Sequence, residues 1–338
     1  MTDEDRHGTV SFDRITVMGA GAVGCYFGAM LARAGAQVTL IGRKAHIEAI
    51  VQNGLLLDSL GHRQRIRFAA ATTEPAAAHE SALVLFCVKS ADTEPAARTL
   101  APHLRTNAVV LDLQNGVDNL ERMRLHIGNV IVPAVVYVAA EMTGPGVLRH
   151  SGRGDLVIGV PGASTPSGDH ETASAVAAPV AARLDSALVA KLASYLIGAG
   201  IPTQISNDVI GELWTKLVIN CAYNALSALG RSRYGPMTAV PSVRLVMVDV
   251  VTEILALARA KNVKLRDDLL EMTLAFANVM PEATSSTAQD LARGRATEID
   301  HLNGYVAREC DALGLPAPVN RTLYAAVKLL ERVHTASI

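Results

Sequence analysis

Long apolar runs, clustered cysteines and blocks of one charge are all missing from this chain of 338 residues. No segment approaches the roughly eighteen uninterrupted apolar residues of a membrane-crossing helix, and the amino terminus, MTDEDRHGTVSFD, is acidic where a signal peptide would be basic and then apolar. No membrane is therefore expected as a partner. Thirty-one basic residues balance thirty-two acidic ones with no Lys/Arg block, so nucleic acid is not expected either. The four cysteines, Cys25, Cys87, Cys221 and Cys310, are widely spaced and form no C-x-x-C pair. They read as small core residues in a reducing, cytoplasmic setting, and no metal site is expected. No internal repeat is present.

What is there is apolar bulk. Half of the residues are hydrophobic, which excludes disorder, and the length calls for two domains with a core each. From residue 14 short β-type runs alternate with helical stretches: RITVM (14–18), a helix from Val23 to Ala34, QVTLI (37–41), ALVLFCV (82–88), AVVLDL (108–113) and NVIVPAVVYV (129–138). Such alternation predicts a mostly parallel sheet with helices on both faces over residues 14–205, preceded by a disordered or extended segment over 1–13. The Pro-, Ser-, Ala- and Gly-rich stretch 161–182 reads as an exposed loop leading into a helix near 181–198. After the turn-like GIPTQISND, helical periodicity dominates residues 206–338, with Asn207 or Asp208 as a cap for the first helix.

Directly after the first strand comes GAGAVG, residues Gly19, Ala20, Gly21, Ala22, Val23 and Gly24. The first glycine of a G-x-G-x-x-G loop permits a tight turn, the second lets a pyrophosphate approach the backbone, and the third lets helix and strand pack closely. A dinucleotide would lie on the free N–H groups at the helix start. After the second strand, where an NAD site usually places a carboxylate, stand Arg43 and Lys44, which suit the 2′-phosphate of NADP. VKS (88–90) and QNGV (114–117) follow two further strands, so Lys89 and Asn115 are placed to meet the cofactor.

In the helical region, LWTKLVINCAYN carries Lys216, Asn220 and Asn224 at intervals of four, on one face of a helix. Two readings stand side by side: a wet stripe on a half-buried helix, or a polar surface facing a ligand.

The whole series, from G-x-G-x-x-G through V-K-S and Q-N-G to E-L-W-x-K-L-x-x-N-x-x-x-N, S-S-x-x-Q-D and T-E-I-D-x-x-N-G, resembles the ketopantoate reductases (2-dehydropantoate 2-reductases). The likeness runs from Arg14 to beyond residue 320. It implies an α/β Rossmann-type domain followed by an all-α domain, NADPH as cofactor, and reduction of the 2-keto group of ketopantoate to (R)-pantoate for pantothenate and coenzyme A synthesis. It further implies Lys216 as proton donor, and Asn220, Asn224 and Ser286 as substrate-binding residues. Glu298 would organise the site and contact the nicotinamide end, while Lys89 and Asn115 bind cofactor. The chemistry agrees: a hydride arriving at a ketone carbon leaves negative charge on oxygen, which a proton-donating cation stabilises.

One position departs from the pattern. Where many pantoate-forming members carry a further asparagine, in a loop that shapes the substrate pocket, this chain has Tyr234, with Arg231 and Arg233 beside it. Reduction of another 2-keto acid is the alternative within the same chemistry, and a non-catalytic NADP-sensing protein is the alternative of another class. The partner expected is a small 2-keto acid, and a homodimer is compatible with the sequence.

Overall fold

The structure, a computed structural model, describes residues 12–162 and 184–336, with side chains to residue 333. The extended amino terminus expected over 1–13 and the loop expected over 161–182 lie almost wholly outside the described residues. The chain divides into two compact units, one formed by residues up to Gln114 and Asn119–Val209, the other by Asn115–Asp118 and residues from Ile210 onward.

The first unit is built on a sheet whose parallel centre runs in the order β5 (Ala70–Thr72), β2 (Gln37–Ile41), β1 (Arg14–Met18), β6 (Leu83–Phe86), β7 (Val109–Asp112) and β8 (Val130–Gly144). Side chains along these strands alternate between two cores, as the two-residue period of a strand requires. Ile15, Val17, Leu83, Leu85, Val109 and Leu111 face a core that also holds residues of helices α1 (Ala22–Arg33), α2 (Lys44–Asn53) and α5 (Ser186–Gly198). Met18, Val84, Phe86 and Val110 face the other, which is closed by α3 (Thr93–Leu100) and α4 (Asn119–Arg124). A sheet covered on both sides needs no polar face, hence the unbroken apolar runs.

Beyond β7 the sheet changes character. The long β8 turns back antiparallel onto β9 (Val147–Gly159) with three register shifts, and β9 is flanked by β3 (Leu55–Ser59) and by β10 (Thr203–Ser206). β4 (His62–Ile66) closes the edge. The turn-like stretch around residue 204 is thus a strand, held by parallel pairing of Thr203–Ser206 with Leu156–Gly159 rather than by its own pattern. Phe12, at the start of the described residues, is buried against the Tyr195 ring, whose hydroxyl donates to Phe12 O at 2.9 Å.

The second unit is helical: α6 (Val209–Gly230), α7 (Tyr234–Thr238), α8 (Pro241–Ala260), α9 (Leu269–Val279), α10 (Ser286–Ala292), α11 (Asn303–Ala312) and α12 (Pro318–Ala336). Trp214, Leu217, Val218, Cys221, Ala222 and Ala225 bury one broad face of α6 in its core. Burying side chains of the size of Leu or Trp is worth about 1.5–3 kcal/mol each, so this face fixes which way the opposite one points. Polar pins then set the register. Tyr223 Oη donates to Thr273 O (2.8 Å) and accepts from Ala277 N–H (3.1 Å), tying α6 to α9. Asn303 Nδ2 donates to Cys221 O (3.1 Å) and to Asn320 Oδ1 (2.9 Å). Among the described residues no helix is long and apolar enough to cross a membrane.

Candidate active site

The glycine loop begins with a backbone turn that only glycine takes readily: Gly19 has φ +108°, and a Cβ there would sit 2.7 Å from Cys87 C. Gly19 and Ala20 both give their N–H groups to Ile41 O, at 2.9 and 3.0 Å, so these two donors serve the turn itself. Helix α1 opens with Cys25 N–H on Gly21 O (2.8 Å), which leaves the N–H groups of Ala22, Val23 and Gly24 ahead of the first intrahelical donor. A Cβ on Gly24 would lie 2.2 Å from Gly19 O and 2.7 Å from Val17 Cγ1, whereas one on Gly21 would meet nothing within 4 Å. Gly24 is therefore required by helix–strand packing and Gly21 borders open space. No acidic side chain stands in the first turn of α1. N–H groups at the head of a helix, open space beside Gly21 and the absence of an acidic side chain in the first turn fit a dinucleotide pyrophosphate.

Arg43 follows β2 and starts α2; its exposed guanidinium reaches Asp92 at 3.4 Å, and the neighbouring Lys44 pairs with Glu48 at 3.7 Å. Both pairs are long and solvated, so either cation is free to turn to a ligand. Lys89 lies half-buried three residues past the end of β6, just before a 3-10 turn at Ser90–Asp92. A buried polar cluster underlies this loop. Gln114 Nε2 donates to Val88 O (2.9 Å) and Thr93 Oγ1 (2.8 Å), while Thr93 Oγ1 donates to Asn119 Oδ1 (3.1 Å). Sequence reasoning did not single out Gln114, Thr93 or Asn119, although Gln114 sits inside the quoted QNGV.

In the second unit, Lys216 and Asn220 are half-buried and Asn224 is buried, on successive turns of α6. The S-S segment is hooked onto the same helix: Ser285 Oγ donates to Asn224 O (3.1 Å), and Ser285 N–H donates to Ser227 Oγ (3.2 Å). Ser285 also caps α10 by accepting Ala288 N–H at 3.0 Å. Ser285 is thus the anchor, and Ser286, the first residue of α10, is exposed.

Glu298 is half-buried at the head of a 3-10 turn (Ile299–His301) and accepts the side-chain amide of Asn115 at 3.1 Å. Beside this pair, His301 Nδ1 lies 3.6 Å from Asp118 Oδ2, so both ends of the segment Asn115–Asp118 meet the turn that carries Glu298. Gly304, in the N-G that follows, lets the first turn of α11 pack against α12: a Cβ there would come within 2.9 Å of the Tyr324 ring. His150, by contrast, is a buried structural histidine, its ring stacked on Tyr26 and bonded to Ser59 Oγ at 2.8 Å. Among the described residues no group of three or more His, Cys, Asp or Glu side chains could hold a metal ion.

Two family models match the chain. Residues 15–162 match the model described as "Ketopantoate reductase PanE/ApbA", and residues 208–331 match its counterpart "Ketopantoate reductase PanE/ApbA C terminal". The chain belongs to the ketopantoate reductase family. A 2-dehydropantoate 2-reductase of Pyrococcus horikoshii is 30% identical over 94% of this chain and 97% of its own length. A solved PanE/ApbA family ketopantoate reductase from Ralstonia eutropha JMP134 is 45% identical, covering 95% of this chain and 99% of that one, with a TM-score of 0.84. The ternary structure of a D-mandelate dehydrogenase with NADH and anilino(oxo)acetate shares the fold, with a TM-score of 0.83 at 21% identity over 95% of this chain and 99% of that one.

For a ketopantoate reductase family member, the departure at Tyr234 has a structural account. Tyr234 is buried in the helical core, its ring 4.7 Å from that of Tyr223 and tilted against Phe276 at 6.2 Å. Burial, with Tyr223 adding to it, pushes its phenol up to about 12. Arg233 is paired with Glu282, whereas Arg231, at φ +46°, borders a cleft of about 550 Å³ together with Thr284 and Gln289.

Proposed function

We propose that this protein is an NADPH-dependent reductase that converts 2-dehydropantoate to (R)-pantoate, supplying pantothenate and coenzyme A synthesis. The observation that carries the reading is the alignment of Lys216, Asn220 and Asn224 on one face of α6, whose other face is locked in the core. A lysine followed by two neutral amides is suited to a substrate with one reacting carbonyl and further hydrogen-bonding oxygens.

When bound, NADPH supplies the hydride. The N–H groups of Ala22, Val23 and Gly24 would hold the pyrophosphate, with Gly19, Ala20 and Gly21 shaping the turn, and Arg43 would take the 2′-phosphate. Lys89 and Asn115 would make further cofactor contacts. Lys216 Nζ would pass a proton to the carbonyl oxygen of the keto acid, which becomes the hydroxyl of the reduced product, and would regain its proton from solvent. Asn220, Asn224 and Ser286 orient the substrate, and orientation alone is worth several kcal/mol of barrier, on the order of 7–11 at best. Glu298, held by Asn115, organises the nicotinamide end. The protein works in the cytoplasm, as four unpaired thiols suggest, and as a homodimer, for which the exposed Leu329 and Val333, one turn apart on α12, offer an apolar strip.

The test is to mix the purified protein with NADPH and 2-dehydropantoate and follow loss of reduced nicotinamide. Folded protein that binds NADPH but does not turn over rejects the substrate. The tyrosine at 234, where many pantoate-forming members carry an asparagine, favours a second reading, reduction of a different 2-keto acid. A panel of branched and aromatic 2-keto acids, run with NADPH and NADH side by side, separates the two.

A further inference from the structure

The segment Thr297–Asp300 is held from behind by helix α12, and the contacts fall on both sides of Glu298. On one side, Glu331 Oε1 accepts the N–H of Thr297 (2.8 Å) and its hydroxyl (2.7 Å). On the other, Asp300 accepts Tyr324 Oη at Oδ1 (2.7 Å) and Lys328 Nζ at Oδ2 (2.9 Å). Lys328 Nζ also lies 2.7 Å from Glu331 Oε2, so it closes a ring from Thr297 through Glu331 and Lys328 to Asp300. Further bonds stiffen the main chain inside the ring: Ile299 N–H on Thr297 Oγ1 (3.2 Å), His301 N–H on Glu298 O (2.9 Å) and Arg308 Nη2 on Asp300 O (2.8 Å).

A lone i,i+3 Lys–Glu pair on a helix surface contributes little. This pair differs because the same ammonium separates two carboxylates that both hold the Thr297–Asp300 segment. Burial disfavours the charged form of Asp300, yet hydrogen bonds from Lys328 and Tyr324 outweigh it and keep the carboxyl below the usual range. Burial likewise lowers Lys328, and its bonds to Glu331 and Asp300 more than reverse that. Without the ammonium, Asp300 and Glu331 would repel across the ring, and the turn carrying Glu298 would lose its fixed seat.

We infer that Lys328 is a positioning residue for the reductase: by closing this ring it holds the backbone of Glu298, so that the carboxylate presents one orientation, with Asn115 bonded to it. The inference rests on the role proposed above for Glu298. Lys328 and Glu331 also line a cleft of about 300 Å³ with Arg295 and Arg332, so a shortened or neutral side chain at 328 has room without disturbing the core.

The experiment compares Lys328→Met, Lys328→Arg, Glu298→Gln and Val327→Ala in the full-length protein, measuring kcat, keto-acid KM, NADPH Kd and Tm. Val327 is a fully buried core residue next to Lys328 and controls for lost stability. Lys328→Met should lower kcat about ten- to a hundredfold, the range typical of a supporting residue behind a reacting group, with KM and Kd changed less than about threefold. Lys328→Arg should recover most of that loss, and Val327→Ala should keep kcat even where its Tm falls further. If Glu298→Gln is impaired while Lys328→Met keeps the parent kcat, the positioning role is overturned and the role of Glu298 stands. If Glu298→Gln is itself as active as the parent, both fall together. Should Lys328→Met fail to fold, Asp300→Asn opens the same ring with Lys328 retained, and an unchanged kcat there overturns the inference equally.

Discussion

Asn115 donates its side-chain amide to Glu298 Oε2 at 3.1 Å, joining a residue after the fifth parallel strand to one 183 positions later in the helical unit. Both belong to the same compact unit, although Gln114, the residue before Asn115, belongs to the other. If the bond matters to the chemistry, the two residues must act as one. Asn115→Ala and Glu298→Gln should each lower kcat/KM, and the double variant should lose less than the product of the two effects. A hydrogen bond to a charged group implies a coupling of about 1.5–3 kcal/mol, and a double-mutant cycle on kcat/KM measures it.

The two glycines at the head of α1 should fail in different ways. Gly24→Ala places a methyl 2.2 Å from Gly19 O, a backbone atom, so it should destabilise the fold by about 1–3 kcal/mol or more, read as a lowered Tm. Gly21→Ala meets nothing in the protein and should keep Tm close to the parent. Its methyl instead occupies the space proposed for the pyrophosphate, so NADPH Kd should rise about tenfold or more by fluorescence titration, a loss of at least about 1.4 kcal/mol.

Arg43 should decide the cofactor rather than the fold. It is exposed and only loosely paired with Asp92, so Arg43→Ser should leave Tm nearly unchanged. The preference for NADPH over NADH should drop about ten- to a hundredfold, as expected for losing one charge-assisted bond to a phosphate, and the remaining preference should weaken with added salt. Ratios of kcat/KM for the two cofactors check this.

Stability should fall at both ends of the pH range, for identifiable reasons. Asp300 titrates lower in the folded protein than in the unfolded chain, so its contribution is present above about pH 4 and is lost as pH falls through its depressed folded value. Tyr234 titrates near 12 when folded and near 10 when unfolded. Its contribution is present below about pH 10 and is lost as pH rises from there through about 12. Tyr234→Phe should flatten the alkaline limb and Asp300→Asn the acid limb in denaturation curves taken across pH.

How much of this was legible in the sequence varied by element. Strands β1, β2, β6 and β7 are covered on both faces, so their unbroken apolar runs announce them: the expected ranges of β1 and β2 match the observed ones, and those of β6 and β7 differ by a residue or two at the ends. β4 reads HRQRI with four exposed positions, and β9 carries three glycines; both are strands because neighbouring strands pair with them, which no local pattern records. In the candidate site, the four-residue spacing on α6 and the glycine loop were visible as periodicity and position. Thr297 and Asp300 stood inside a quoted motif, but their partners Tyr324, Lys328 and Glu331 look like an ordinary amphipathic helix until α12 packs behind them. Tyr234, read as a departure in the loop that shapes the pocket, lies in the helical core.

Lys216 is the proposed proton donor of a 2-keto acid reductase, and one substitution tests that most directly. Lys216→Ala should fold with the parent Tm within a few degrees and bind NADPH with nearly the parent Kd. With NADPH and 2-dehydropantoate its kcat should fall about a hundred- to ten-thousandfold, the range for removing a general acid. A Lys216→Ala variant that turns over 2-dehydropantoate at the parent rate would contradict the account.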